Sequence, residues 1–439
     1  MRILFLQDDF PPESLGGAGT VAFNLAQEFR KKGHQVYVIC AVKDKDKAGQ
    51  RIEEGLAVFR LYANYHERWR AYLGLYNPQI INQIKKLFSQ IRPDIAHFHN
   101  VHYYLSYASL KIAKKYSRAV FLTAHDVMSF HYGKLIEFIN PNNLSIPKTF
   151  NYRITPLKQI KRFKKRYNPL RNIIIRHYLK KANKIFPVSS ALKEALKQNG
   201  IENTEVIYNG INADEWQIDD KLIDDFKKKY RLFNKKVIFM IGRLSDLKGG
   251  EKIIRAMEIV NQKIPEAVLM AAGDKQGYAQ KMLSLAENKN IQLLLTGYLR
   301  RDELKAATRS SDLAVVPSIC FDSFPTSNLE AMACQKPVIG TCFGGTPEIV
   351  LDNITGYIVN PFNIEKMAEK IIALLSDSQK AEQFGQAGYE RVKRYFSLQE
   401  QAEKILKYYE QFLRGSLGSD PREGLTLKNP QEKYARPLN

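Results

Sequence analysis

No stretch of this chain is apolar over the roughly 18 residues that a membrane-crossing helix needs. The opening MRILFLQDDFPP has one basic residue and a short apolar run before two aspartates, too short for a secretory leader and better read as a first strand. Cysteine is scarce: Cys40, Cys320, Cys334 and Cys342 show no CxxC or zinc-type spacing. That excludes a disulfide framework and suits reduced thiols, so a cytoplasmic protein is expected. Acid is missing from one place in particular. From Phe138 to Lys193 there is no Asp or Glu, yet fourteen Lys or Arg stand there, leaving only +8 of the +22 net charge to the rest of the chain. Whatever that basicity attracts is attracted by one segment. A P-loop and a tandem repeat are also missing, as is a nucleophile with an adjacent base. What remains is a globular composition, 44% hydrophobic and 26% charged, over 439 residues, enough for two domains.

Apolar runs without strict alternation, separated by helical patterns, predict parallel sheets covered on both faces. In the first half they are Ile3–Leu6, HQVYVICA, DIAHFHN, AVFLTAHD and KIFPVSS. After a polar stretch from Ala213 to Lys235, read as a linker, the pattern restarts with KKVIFMIGR, AVLMAAGD, IQLLLTG, DLAVVPS and KPVIGT. The expected fold is α/β, two Rossmann-like doubly wound domains facing across a cleft, with ligands at the carboxyl ends of the strands. The expected division is 1–212 with a basic insertion at about 134–184, then 213–395, a C-terminal helix 396–414, and a disordered tail 415–439.

The strongest chemical signal follows DLAVVPS: Asp322-Ser-Phe-Pro-Thr-Ser-Asn-Leu-Glu330. Pro325 suits a helix's first turn, and the amides of Thr326 and Ser327 would then face an anion. Glu330 lies about 6 Å further along that helix, so two carboxylates bracket an anion site, as a sugar nucleotide requires. Leu329, Met332 and Ala333 of the same helix are core. After VIFMI comes Gly242-Arg243-Leu-Ser-Asp-Leu-Lys248-Gly249-Gly250. Cations in a helix's first turn oppose its dipole, a cost explained if Arg243 and Lys248 clamp a phosphate. A solvated Lys and a structurally paired Arg is the alternative.

Together these residues resemble the retaining glycosyltransferases of family 4, with the GT-B fold. The resemblance rests on Gly16-Gly17, Arg243 with Lys248, and Asp322 with Glu330, supported by RPDIAHFHN, LTAHD, VSSALKEAL, VIYNGIN and LEAMACQKPVIGT…GGTPEIV…TGYIV, from Met1 to about Tyr395. It implies that Gly16 and Gly17 admit the donor phosphate or the acceptor, and that His125 contacts the sugar. Arg243 and Lys248 neutralise the departing diphosphate, Asp322 holds a sugar hydroxyl and Glu330 the ribose. His99, Asn209, Thr326 and Ser327 join the substrate-binding set. Family members usually have Glu where Asp322 stands and Gly where Pro325 stands. The resemblance also implies a UDP- or GDP-sugar donor, a glycan or lipid-linked acceptor, no cofactor and no metal.

Other signals are weaker. Gly17-Ala-Gly19-Thr-Val-Ala22 fits the GxGxxA dinucleotide fingerprint, but QDDFPPESLG separates it from its strand, which disfavours an NAD(P)-dependent oxidoreductase. His97, His99, His102, His125 and His131 cluster after strands; a metal site is the minor reading, cleft-lining suits His99 and His125, and structural roles suit the others. Glu348 either lines the donor pocket or starts a helix. Leu157, Ile160, Phe163 and Tyr167 recur at helical spacing among Lys158, Lys161, Arg162, Lys164, Lys165 and Arg166, followed by a second basic helix from Leu170. Such a face suits an anionic membrane. A solvated basic face is the plain alternative, and nucleic acid is disfavoured because no recognition module is present. A protein with this fold that binds membrane or nucleic acid without catalysis is the remaining class.

Overall fold

The computed structural model describes residues 1–13 and 16–415, with Arg243 described by its backbone alone. The expected disordered tail lies, from residue 416 on, outside the described residues. Ile3, Leu4, Phe5 and Leu6 are all fully buried because their strand sends alternate side chains into two cores: Ile3 and Phe5 join Leu25 and Phe29, while Leu4 and Leu6 join Ile84 and Phe88. This strand, β1 (Arg2–Leu6), is central in a sheet with β2 (Gln35–Val42), β3 (Gly49–Glu53), β4 (Leu56–Tyr62), β5 (Ile95–Phe98), β6 (Ala119–Ala124) and β7 (Lys184–Pro187), in the order β3-β4-β2-β1-β5-β6-β7. Only β3 runs antiparallel to its neighbour. The second sheet, order β10-β9-β8-β11-β12-β13, holds β8 (Lys236–Arg243), β9 (Ala267–Ala272), β10 (Gln292–Leu295), β11 (Leu313–Val316), β12 (Val338–Thr341) and β13 (Gly356–Val359), all parallel.

The two-sheet expectation holds, with corrections. The β3–β4 pair was not anticipated, because the polar GQRIE is an edge strand with exposed side chains and no apolar period. Nor was β13, whose four residues are too short a run to stand out. The stretch read as a linker is folded. Asp219 caps the helix Asp220–Tyr230, which buries Ile223 and Phe226 and packs on the helix Arg301–Arg309. Two apolar side chains three apart suffice for such a seam, yet among so many charges they read as solvated.

The chain passes between its halves twice, at neighbouring points. Ile211 N donates to Phe396 O (2.9 Å) and Leu398 N to Ile211 O (3.1 Å). The last helix, Leu398–Gly415, therefore returns to the first sheet, where Ile405 and Tyr409 are fully buried with Phe29 and Phe121.

Candidate active site

Among the parallel strands of each sheet the order reverses once, at β1/β5 and at β8/β11. Such reversals leave a crevice at the carboxyl ends of the strands. The candidate residues leave these ends, and the two crevices face one another. A Cβ built on Gly17, at the start of the helix Gly17–Lys31, would lie 3.6 Å from Thr326 Oγ1 of the other half. One on Gly345 would lie 3.0 Å from the Cβ of Ser189.

Asp322 stands in the loop after β11. Its Oδ2 accepts from Ser318 Oγ (3.1 Å) and forms an ion pair with Lys248 Nζ. Burial pushes this carboxyl up, but the charges of Lys248 and then Lys134, with the two hydrogen bonds, pull it below the ordinary range. Its loop is fixed from beneath: Gly345 N donates to Asp322 O (2.9 Å), and any side chain on Gly344, at φ +68°, would strike the Asp322 backbone. Lys248 was expected inside a helix's first turn. Instead it ends a 3-10 turn, Asp246–Lys248, and the helix Gly250–Lys263 begins after it. The cause is Gly249, which takes φ +81° and packs directly beneath the Pro317 carbonyl, where no Cβ fits. Lys248 therefore reaches the Asp322 loop without opposing a helix dipole. Arg243 is the last residue of β8, paired through its backbone with Ala272.

The helix Thr326–Ala333 follows. Pro325 is its N-cap at φ −67°, ψ 111°, one place before the first turn in which it was expected. As the first two helical residues, Thr326 and Ser327 have no carbonyl partner within the helix for their amides, and the Thr326 hydroxyl lies close to Gly17 of the other half. Burial pushes the Glu330 carboxyl up to about 7 against a hydrogen bond from Thr326 and the charge of Arg301. Asp322 and Glu330 thus flank the free amides, one an ionised partner of Lys248 and the other poised near neutrality.

On the facing half, His99 Nδ1 and His125 Nε2 share a hydrogen bond (2.8 Å) and their rings stack at 5.1 Å. Burial depresses both, His125 to about 4, so both are neutral near pH 7. His97 is structural, held by Thr123 Oγ1 (2.7 Å) and the Tyr409 hydroxyl of the last helix. His131 is likewise satisfied by Gly133 O (2.9 Å) and Glu137 (3.1 Å). Among the described residues no three His, Cys, Asp or Glu side chains are grouped to hold a metal. Asn209 is buried where the halves connect, its Oδ1 without a hydrogen-bond partner, next to Tyr208, which stacks on Phe324 at 5.4 Å. Gly16 is the N-cap of the Gly17 helix. Gly19, the middle of the dinucleotide-like pattern, lies under the Asp9 carbonyl, so packing alone accounts for it.

Two residues do something other than expected. Glu348 belongs to the helix Thr346–Ile349, yet its carboxylate accepts from Ser190 N (2.7 Å), Ala191 N (2.9 Å) and Tyr208 Oη (3.1 Å) of the first half. It caps a helix across the cleft. Arg162, counted among lipid-facing cations, turns inward onto Glu137 and stacks over Phe163 at 5.0 Å. The basic helix itself stops at Phe163, since Lys164 takes φ +49°, and Tyr167 is buried off the expected stripe. Lys158, Lys161, Lys164, Lys165 and Arg166 stay exposed, next to exposed Leu157, Leu170 and Ile173. No helix among the described residues is long and apolar enough to cross a membrane.

Comparison with known proteins places both halves in one kind. Residues 15–215 match the family model Glycosyltransferase Family 4, and residues 223–391 match Glycosyl transferases group 1. An uncharacterized glycosyltransferase of Methanocaldococcus jannaschii is 31% identical over 44% of this chain and 51% of its own length. The GDP-mannose-dependent alpha-(1-6)-phosphatidylinositol monomannoside mannosyltransferase of Mycobacterium tuberculosis is 27% identical over 48% and 56%. The chain thus spans little more than half the length of these curated relatives. Among solved structures, Anabaena HepE in complex with UDP superposes with a TM-score of 0.67 at 18% identity, covering 94% of this chain and all of that one.

Proposed function

We propose that this chain, which belongs to the family 4 glycosyltransferases, moves a sugar from a UDP- or GDP-sugar to an acceptor hydroxyl with retention of anomeric configuration, without a metal. The observation that carries the reading is the convergence of Lys248, Asp322, the open amides of Thr326 and Ser327 and the facing Gly17. The solved complex of HepE with UDP and the GDP-mannose dependence of the mycobacterial relative support the donor class. In this reading the amides, Lys248 and Arg243 receive the diphosphate; Asp322 and His125 hold sugar hydroxyls, His99 steadies His125, and Glu330 accepts from the ribose. As the bond from C1 to the phosphate oxygen breaks, that oxygen takes the proton of the acceptor hydroxyl, whose oxygen bonds C1 on the same face. The protein's share is position and charge stabilisation.

A panel of UDP- and GDP-sugars in a thermal-shift assay tests this, since a ligand bound only by the folded state raises its melting temperature. One base should give a clear shift, larger at pH 8 than at pH 6, because Glu330 accepts ribose hydroxyls best once ionised above about 7. Glu330→Gln should remove the pH dependence. No shift with any member of the panel would end the proposal.

The exposed basic and apolar side chains of 157–173 favour an acceptor carried at the inner face of a membrane, as in cell-surface polysaccharide or glycolipid assembly. Each basic side chain near anionic lipid contributes about 1 kcal/mol. Co-sedimentation with anionic but not neutral vesicles is expected, and equal binding to both would refute membrane docking.

A further inference from the structure

The segment after β6 leaves the first sheet and lies against the second half. Phe321 N donates to Leu135 O (2.9 Å), and Asn360 Nδ2 donates to the carbonyls of Asn143 and Ser145 (2.8 Å each). Between and beyond these anchors the Phe138 and Tyr152 rings meet Phe321 at 6.0 and 5.1 Å, and Phe138 and Phe150 meet Phe343 at 5.7 and 5.9 Å. Residues 135–152 are thus a strap that ties the Asp322 loop to the opposite half. Lys134 immediately precedes its first anchor, and Asp322 immediately follows Phe321, so one backbone hydrogen bond sets the two side by side.

We propose that Lys134 is a third cation of the donor site, supplied by the acceptor-side half and held by the strap next to Lys248, where it meets the terminal phosphate of the nucleoside diphosphate. The proposal rests on the nucleotide-sugar reading above. Asp322 already has an ammonium and a hydroxyl on the same carboxylate oxygen. A second ammonium beside one carboxylate leaves a net positive charge on the loop that leads into the Thr326 helix, whose first amides have no helical partner, and that combination recognises an anion. Lys134 is exposed, so its ammonium is accessible to a ligand. At Asp322 the charge of Lys134 follows that of Lys248 in pulling the carboxyl down, and at Cys320, whose thiol burial and Asp322 push up, Lys134 opposes the rise ahead of Lys248. Because the strap crosses the cleft, this cation is in place only while the halves are together, which ties tight diphosphate binding to closure.

Calorimetric titration of the full chain with UDP, GDP, UMP and GMP tests this on the wild type, Lys134→Met and Lys134→Arg. Methionine keeps the aliphatic stem, so folding is preserved. The methionine variant should bind the preferred diphosphate about tenfold more weakly, the worth of one charge-assisted hydrogen bond. Its monophosphate affinity should stay the same, and arginine should restore most of the loss. Unchanged diphosphate affinity, or an equal loss for mono- and diphosphate, overturns the assignment of Lys134. If the wild type binds neither UDP nor GDP, the donor reading itself falls, and this inference with it.

Discussion

Replacing Lys248 by Ala is expected to lower transfer by on the order of 10²–10³-fold, the usual loss when one aimed electrostatic donor is removed from a transition state. Loss of a solvated lysine would hardly change stability. The ion pair with Asp322 alters that, because the variant leaves a half-buried carboxylate with only Ser318 Oγ and the more exposed Lys134. A cost of about 1–3 kcal/mol follows from leaving such a group underpaired. The sign with pH is fixed by the depressed native carboxyl. Its contribution is present at neutral pH, above the unfolded value, and is lost as pH falls through the lower native one. The variant should therefore be most destabilised near neutrality and converge on the wild type in acid. Adding Asp322→Asn to Lys248→Ala should recover stability without recovering transfer. Steady-state transfer rates and urea midpoints on the single and double variants check both halves of this expectation. Unchanged turnover in the single variant would remove the phosphate clamp from the mechanism.

Sequence was most informative where one local pattern holds both the fold and the chemistry. The Asp322–Glu330 run follows a strand, opens a helix and carries both acids within nine residues, so its spacing alone constrains its geometry. Gly16-Gly17 and the Arg243–Lys248 run are local in the same way. Illegible features depend on residues far apart in the chain. Lys134 lies 188 positions before Asp322, and nothing in GKLIEF hints that its backbone is pinned to Phe321. Glu348 reads as either a pocket-lining or a helix-starting acid until the fold brings it to the Ser190 and Ala191 amides. Arg162 shows the opposite failure. Its amphipathic period is real, but Glu137, just outside the acid-free stretch, draws one member inward. Patterns of charge predict a face, whereas a single half-buried partner decides the individual side chain.

Asp8, which no motif singled out, carries the second large expectation. At the end of β1 its carboxylate accepts from the amides of Tyr103 (2.8 Å), Tyr104 (2.9 Å) and Leu105 (2.7 Å), and its own amide donates to Asn100 O (2.7 Å). These bonds hold the loop after β5, on which His99 and His102 stand. Asp8→Ala leaves three amides without an acceptor, two of them in buried contacts, at about 1–3 kcal/mol each. A loss of about 3–6 kcal/mol is a large part of the stability of an ordinary domain. Burial pushes the Asp8 carboxyl up to about 7 against the pull of those amides, so the native protein keeps a proton that the unfolded chain releases near pH 4. Stability from this site is full below the unfolded value and declines as pH rises through about 7. Asp8→Asn keeps an acceptor oxygen and has no charge to lose. It should be milder than the alanine variant and should flatten the pH profile of the melting temperature between pH 4 and 7. An alanine variant that melts with the wild type would show that the β5 loop is held by other contacts, and that the placement of His99 beside His125 does not depend on Asp8.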